Sequence, residues 1–310
     1  MNKKSKGYII AIVLTIIAVS LVVYEIKSNR VNLSIFNKEE EVSPWKEEVI
    51  SWEEEKKASN DNKEVKLSQE DEELLKKVPI GEKILKSINS PDKEDIHYKM
   101  LNAVDNFKTC KGEFIEEGSM GNSRMKCTFA VDTENKTSVS IDDSEGKEPV
   151  TLIYHDDKRK VFDDNDKIYR EFEEIQNKRK PTIVRPIRLY LKPDLKRADL
   201  GYLGISHYII SADAISTYLF IYEDWDYTES TFLERDVYKL EGVINPALSN
   251  MAQGKFSLFM DKETGIILQF LSFDDNGNVK YKLECTSLEV NIPIDESVYN
   301  KDVSEYTKKW

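Results

Sequence analysis

From Phe107 onward, apolar residues recur at every second position. Met125, Cys127, Phe129 and Val131 alternate with Arg124, Lys126 and Thr128; Val139 and Ile141 alternate with serines; Val150, Leu152 and Tyr154 continue the pattern. Period two is the mark of a strand with one buried face. The segments are separated by short turn-forming stretches at 118–122, 142–146, 156–158 and 163–166. A parallel crossover needs roughly a dozen residues or more, so strands joined this way are antiparallel. The expectation is a meander with one apolar face. It resumes at Val237–Leu240, and Lys255–Met260 leads through the turn Asp261–Gly265 into Ile266–Phe273. Asp274–Asn278, which contains Asn276-Gly277, turns the chain into Val279, Tyr281, Leu283 and Cys285. Between the two halves, 174–235 is broken by Pro181, Pro186 and Pro193, and Ala212–Leu219 reads as a helix or as the start of a strand ending at Trp225.

Helices precede the strands. Ser68 to Asp71 has the form of a capping box ahead of Leu74, Leu75 and Val78, with Pro79 as the stop. A stronger start is Ser90-Pro91, with Asp92, Glu94 and Asp95 in the first turn, where the helix dipole favours negative charge. Ile96, Met100, Leu101, Val104 and Phe107 then form one apolar stripe.

Near the N-terminus, Tyr8–Tyr24 is an unbroken apolar run after Lys3, Lys4 and Lys6. It would span about 25 Å at ~1.5 Å per residue, enough for a hydrocarbon core with snorkelling flanks. The basic stub 1–7 is expected in the cytoplasm and the rest of the chain outside. A cleaved secretory signal is the alternative. Its best cleavage site, Ala18-Val19-Ser20, is followed by Leu21-Val22-Val23, where a cleavage region is normally polar. Residues 25–67 read as an acidic stalk, about 140 Å long if extended at ~3.3 Å per residue. Within it Ser43-Pro44 starts a short helical pattern carrying Trp45, Val49 and Trp52. Fourteen acidic and five basic residues lie between 39 and 75, so most of the net charge of −12 sits there. That acidity argues against nucleic acid as a partner.

Signals of catalysis or metal binding are weak. Ser206 and His207 are adjacent and would point to opposite faces of a strand, which is no nucleophile pair. Gly-x-Ser-x-Gly, a Walker loop and His-Glu-x-x-His are missing from the sequence. Aligned on Gly277 as a calcium loop, 272–283 puts Ser272 and Leu283 where oxygen ligands belong. Asp163, Asp164 and Asp166 read as a solvated turn. No enzyme activity, metal or cofactor is expected. The three cysteines carry more information. A hairpin centred in the Gly118–Asn122 turn sets Cys110 opposite Cys127, within disulfide range, and leaves Cys285 as a buried thiol.

The segments Phe256–Leu268, Phe273–Gly277 and Leu288–Tyr299 resemble the closing strands of the outer-membrane lipoprotein-sorting superfamily, with its LolA/RseB-like fold. The resemblance covers about residues 80–303. It implies a mainly β (α+β) domain at 68–303, a strongly curved antiparallel sheet or half-barrel capped by helices, with 304–310 as a tail. It also implies an apolar cavity for an acyl chain or lipoprotein segment. The inward positions of such a sheet would be Phe114, Phe129, Leu152, Leu258, Leu268, Phe270 and Tyr281; the other outcome is an ordinary packed core. The superfamily's carriers are soluble and released, whereas this chain reads as tethered. The expectation is a membrane-anchored extracytoplasmic binding protein, a sensor or carrier for a lipid or lipoprotein. The alternative is a regulatory or structural protein that binds an envelope protein through the stalk or a sheet edge.

Overall fold

The computed structural model of the protein describes residues 69–78, 80–87, 90–119, 123–173, 197, 199–249 and 253–309, with Pro186 and Tyr190. The chain divides into two units, Met1–Val49 and Ile50–Trp310, and all described residues belong to the second. The stub 1–7, the apolar run 8–24 and the stalk 25–67 lie outside the described residues, as does Ser68 of the capping box. Among the described residues no helix is long and apolar enough to cross a membrane.

The strands are β1 (Thr109–Ser119), β2 (Ser123–Asp132), β3 (Thr137–Ser144), β4 (Val150–His155), β5 (Lys158–Asp163), β6 (Ile168–Glu173), β7 (Trp225–Phe232), β8 (Arg235–Ile244), β9 (Gly254–Asp261), β10 (Ile267–Phe273), β11 (Val279–Val290) and β12 (Thr307–Lys308). They form one open sheet in the order β12-β6-β5-β4-β3-β2-β1-β11-β10-β9-β8-β7. Each neighbouring pair is antiparallel except β6–β12. The protein is therefore mainly β. Two meanders, β1–β6 and β7–β11, are joined at the centre by β1 and β11. The helices described along their length are α1 (Gln69–Lys76), α2 (Gly81–Ser87), α3 (Pro91–Leu101) and the short α4 (Asp213–Ser216). Proline at the first position starts α3 as expected, and its stripe is buried through Ile96, Met100 and Leu101. Val104 continues that stripe from a 3-10 turn, and Phe107 from the lead into β1.

Two expectations are corrected. The first is the hairpin register. β1 does not turn at Gly118 but runs on to Ser119, which pairs with Ser123. Gly118 has φ +88°, sits at a register shift, and a Cβ there would lie 2.3 Å from the Lys280 carbonyl oxygen. It is a bulge glycine, not a turn glycine. Cys110 consequently faces Val131 and Cys127 faces Phe114. The 110–127 disulfide does not form: Cys110, Cys127 and Cys285 are all buried free thiols.

The second correction is the single apolar face. Along β2 the alternation holds, but on β4 Thr151 and Ile153 are buried on the opposite face from Leu152, and on β3 the serines share the face of Phe129 and Leu152, since Ser140 pairs with both. Val139 points the other way, into a second core with Ala130, Ile153, Phe162 and Tyr299. The closing segment builds that core. Asn291 turns the chain (φ 56°) while its side-chain oxygen accepts from Lys108 N–H at 2.8 Å. The Asp295 carboxylate accepts from Ser297 N–H at 2.9 Å and caps a 3-10 turn that delivers Tyr299. Tyr306 stacks edge-on against Phe162, and Lys301 meets Asp164 at 2.6 Å. The stretch set apart as a tail thus reaches the sheet, Thr307 and Lys308 pairing with Ile168 and Tyr169.

The broken segment before β7 covers the inner face. It contains a 3-10 stretch, Gly201–Tyr208, kinked at Gly204 (φ 56°), then α4 and further 3-10 turns up to Trp225. Ala212–Leu219 is therefore helical, and a strand begins at Trp225. Arg197 ties the segment's start to the 3-10 turn that follows α3, with two hydrogen bonds to Asp199 at 3.0 and 2.8 Å and a third to Asp105. Burial raises the Asp199 carboxyl, but the Arg197 hydrogen bonds and charge outweigh it and leave the group below its ordinary value.

Candidate functional site

The seven sequence-derived inward positions fall into two groups. Phe114, Phe129, Leu258, Leu268 and Phe270 are at most 2% exposed and belong to one continuous core. Tyr202, Leu203, Ile209, Ile210, Ile215 and Leu219 of the covering segment belong to the same core. That segment is bonded at both sides of the sheet centre: Ser138 of β3 donates to the Tyr202 carbonyl, and Ile267 N–H of β10 donates to Ile209 O at 3.0 Å. Around these five residues the inner face is filled by the chain itself. Leu152 and Tyr281 are only half-buried.

Tyr281 belongs to the less covered end of the inner face, whereas Leu152 lies beside Ser140 in the row of Phe129. Tyr208 is 47% exposed, with its ring 6.5 Å from Phe114. Tyr218 and Tyr281 flank Phe270 at 5.8 and 5.9 Å. Partly buried Met125 packs against the core nearby.

Two carboxylates interrupt this apolar surface: Asp142, opposite Cys127, and Glu116. Cross-strand neighbours run Met125–Glu116–Leu283–Phe270–Leu258–Leu240 from β2 to β8. Glu116 is 9% exposed and is hydrogen-bonded to Tyr281. Burial, then the Glu116 charge, raises the Tyr281 phenol. Burial, followed by Glu116 and Asp142, raises Tyr208 as well. Both phenols therefore stay protonated at neutral pH, Tyr281 donating its proton to Glu116. Two more polar groups face inward: the Oγ atoms of Ser140 and Ser272 are buried with no hydrogen-bond partner. Unsatisfied hydroxyls are costly in an apolar setting and are met by water or by a ligand. The site therefore combines an aromatic and aliphatic wall, the buried Glu116 carboxylate and the spare hydroxyl of Ser272 beside Tyr281, whereas Ser140 lies under Gly204 of the covering segment.

Sequence reasoning missed Glu116, Tyr208 and Tyr218. Glu116 shares parity with Phe114 and Gly118, which was the available signal, but the surrounding Glu113 and Glu117 make the stretch read as solvated. Tyr208 and Tyr218 lie in the covering segment, whose proline breaks and irregular turns give no period.

Ser206 and His207 do not form a dyad: Ser206 Oγ donates to Leu203 O at 2.6 Å, and His207 Nδ1 lies 3.2 Å from Ile210 O. Asp274 accepts from Asn276 and Asn278 N–H at 2.9 and 2.8 Å, organising a hairpin turn. Asp163 likewise accepts from the backbone of Asn165 and Asp166. Among the described residues no group of three or more His, Cys, Asp or Glu side chains could hold a metal ion.

No protein-family model matches the chain, and no curated protein matches its sequence. Solved structures similar to it include an uncharacterized conserved protein from Thermus thermophilus, at 9% identity and TM-score 0.39 over 68% of this chain and 97% of that one. A chain of the Pseudomonas aeruginosa MucA/MucB complex gives 12% and 0.38 over 68% and 61%. A LolA superfamily protein from Nitrosomonas europaea gives 10% and 0.26 over 65% and 96%. The neighbours thus include the superfamily that the closing strands resemble. At TM-scores below 0.5 the likeness is too loose to carry a ligand or partner across to this chain.

Proposed function

We propose that this chain is a membrane-tethered extracytoplasmic binding protein whose curved half-barrel sheet takes an apolar ligand, an acyl chain or lipoprotein segment, at the tyrosine-lined end of its inner face. The observation that carries the reading is the contrast along that face. Phe114, Phe129, Leu258, Leu268 and Phe270 are sealed beneath the covering segment, while Tyr208, Tyr218, Tyr281 and Met125 keep exposed surface near the buried carboxylate of Glu116. An apolar wall with a few convergent polar groups is the usual form of a small-ligand site. Glu116 and the phenols would engage the ligand's polar head, and the aromatic rings its chain. The apolar run at Tyr8–Tyr24 supplies the tether, with the domain outside.

The test uses the full-length protein and a fluorescent acyl probe. Met125→Trp adds volume at the open end and should block probe binding with little loss of stability. Leu258→Trp adds it in the sealed core and should destabilise by about 1–3 kcal/mol. Failure of the wild-type protein to bind the probe, or to carry extractable lipid, refutes the reading. Protease added to intact protoplasts should remove the domain; its survival beside a degraded external control refutes the topology.

A second reading is supported by β7, which among the described residues pairs with β8 alone at one end of the sheet. A partner strand could add there, making this a regulatory envelope protein.

A further inference from the structure

The described part of the covering segment reaches β3 and β4. Its Gly204 lies over Ser140, and its Tyr202 ring is 6.1 Å from that of Tyr154. Beyond those contacts the same face continues across β4, β5 and β6 through the rows Tyr154–Arg159–Phe172 and Leu152–Val161–Arg170. Val150, Leu152, Val161 and Ile168 are half-buried there, and Phe172 is 41% exposed. Three strands at ~4.8 Å make this stretch roughly 10 Å wide, the width of a hydrocarbon chain and its flanking side chains.

Two arginines stand on it. Of the five described arginines, Arg124 pairs with Glu117, Arg197 with Asp105 and Asp199, and Arg235 with Asp261 and Glu263. Arg159 and Arg170 pair with no carboxylate among the described residues. They are diagonal neighbours, because Phe172 faces Arg159 and lies two residues from Arg170 on β6, a separation of roughly 7–8 Å. The Arg159 guanidinium sits 5.2 Å from the Phe172 ring centroid, and its Nε is buried with no hydrogen-bond partner. The carboxylate on this stretch, Asp163, accepts from Asn165 and Asp166 N–H at 3.1 and 3.0 Å and serves the β5–β6 turn. An unmet buried donor and two like charges side by side are both unfavourable, and a bound anion relieves both.

We infer that the inner face of β4–β6 binds a long-chain carboxylate, its head between Arg159 and Arg170 and its chain over Val161, Leu152 and Val150. A guanidinium fork matches a carboxylate edge to edge, and half-buried aliphatic side chains beside it gain by covering a hydrocarbon chain. The site is separate from the tyrosine-lined end, which carries carboxylates where this stretch carries guanidiniums, and its failure would leave that reading untouched.

The experiment uses full-length protein in a non-ionic detergent. Octanoate is titrated calorimetrically as a soluble probe, beside octanol as its uncharged counterpart and octyl phosphate as the other anion, and the Arg159 Nε–H resonance reports where it binds. Saturable binding of octanoate at least about tenfold tighter than octanol, with a shift of that resonance, is expected. Arg170→Gln, an exposed substitution that should leave the fold intact, and Arg159→Gln should each weaken octanoate by about tenfold, and Met125→Trp should leave it unchanged. Equal binding of octanol, no saturable binding, an unmoved Arg159 resonance or undiminished affinity in Arg170→Gln would overturn the inference. So would tighter binding of octyl phosphate, which makes the head a phosphate, or loss of binding in Met125→Trp, which moves the ligand to the tyrosine-lined end.

Discussion

His97 is fully buried on α3, its ring 5.0 Å from Phe220 and 5.9 Å from Tyr222, with Nδ1 3.3 Å from the Tyr222 hydroxyl. Burial lowers its pKa to about 3, against a smaller opposing effect from the Ser216 backbone. The unfolded chain would protonate it near pH ~6.5, so between those values only the unfolded state binds the proton. Stability on this account is complete above pH ~6.5 and falls as the pH drops toward about 3. Denaturant titrations should show the wild type losing about 2–3 kcal/mol more than His97→Phe between about pH 7 and 4.5. Equal losses would refute the assignment. The cysteines give a second expectation at this scale. Burial raises all three thiols, which lowers their thiolate fraction and reactivity. Alkylation should spare them in the native protein and modify all three after unfolding, with no 110–127 crosslink in non-reducing peptide maps.

At the scale of elements, turns were legible wherever their chemistry is local. Asp156 and Asp157, both at positive φ, join β4 to β5 as their spacing suggested, and Asp274–Asn278 closes β10–β11. The turn Asp261–Gly265 also has a physical basis. Asp261 is 1% exposed, pairs with Arg235 at 2.6 Å, and accepts from Thr264 N–H and Oγ1 at 2.7 Å. Gly265 lets the turn touch α3, since a Cβ would lie 2.3 Å from the Lys99 carbonyl oxygen. The β7–β8 hairpin was hidden because its two-residue turn is Leu233-Glu234, at φ 51° and 59°, where Asn-Gly would have announced it. That mismatch can be relieved. Leu233→Asn with Glu234→Gly should stabilise the protein by about 1 kcal/mol in denaturant titrations, since both residues adopt positive φ readily. The Cys110–Cys127 register failed for a different reason: bulge and turn glycines look alike in sequence, and only the close approach of Lys280 separates them.

For the whole molecule, the alternating strands, their antiparallel sense and the helices that precede them could be read directly. The strand order could not, because the β1–β11 pairing is non-local. The inner site was half legible: parity marks Phe114, Phe129 and Phe270 as inward, but the filling of that face depends on an aperiodic segment. The outer core rests on the chain's end. Tyr306 donates to Asp164 and packs on Phe162, and Lys308 pairs with Glu171 at 3.0 Å. A chain ending at Val303 should lose about 2–4 kcal/mol, read as a lowered thermal midpoint, because Phe162 loses its cover. The central position of the β1–β11 pair also governs how the protein is made. The first six strands can zip together while the chain is still emerging, but β1 keeps one open hydrogen-bonding edge until residues 279–290 arrive. An edge exposed for so long is a template for wrong pairing, and closure between distant segments is slow. For a sheet that closes only when β11 has been made, the hazardous interval is that wait, and shielding β1 during it would be the task of any folding helper.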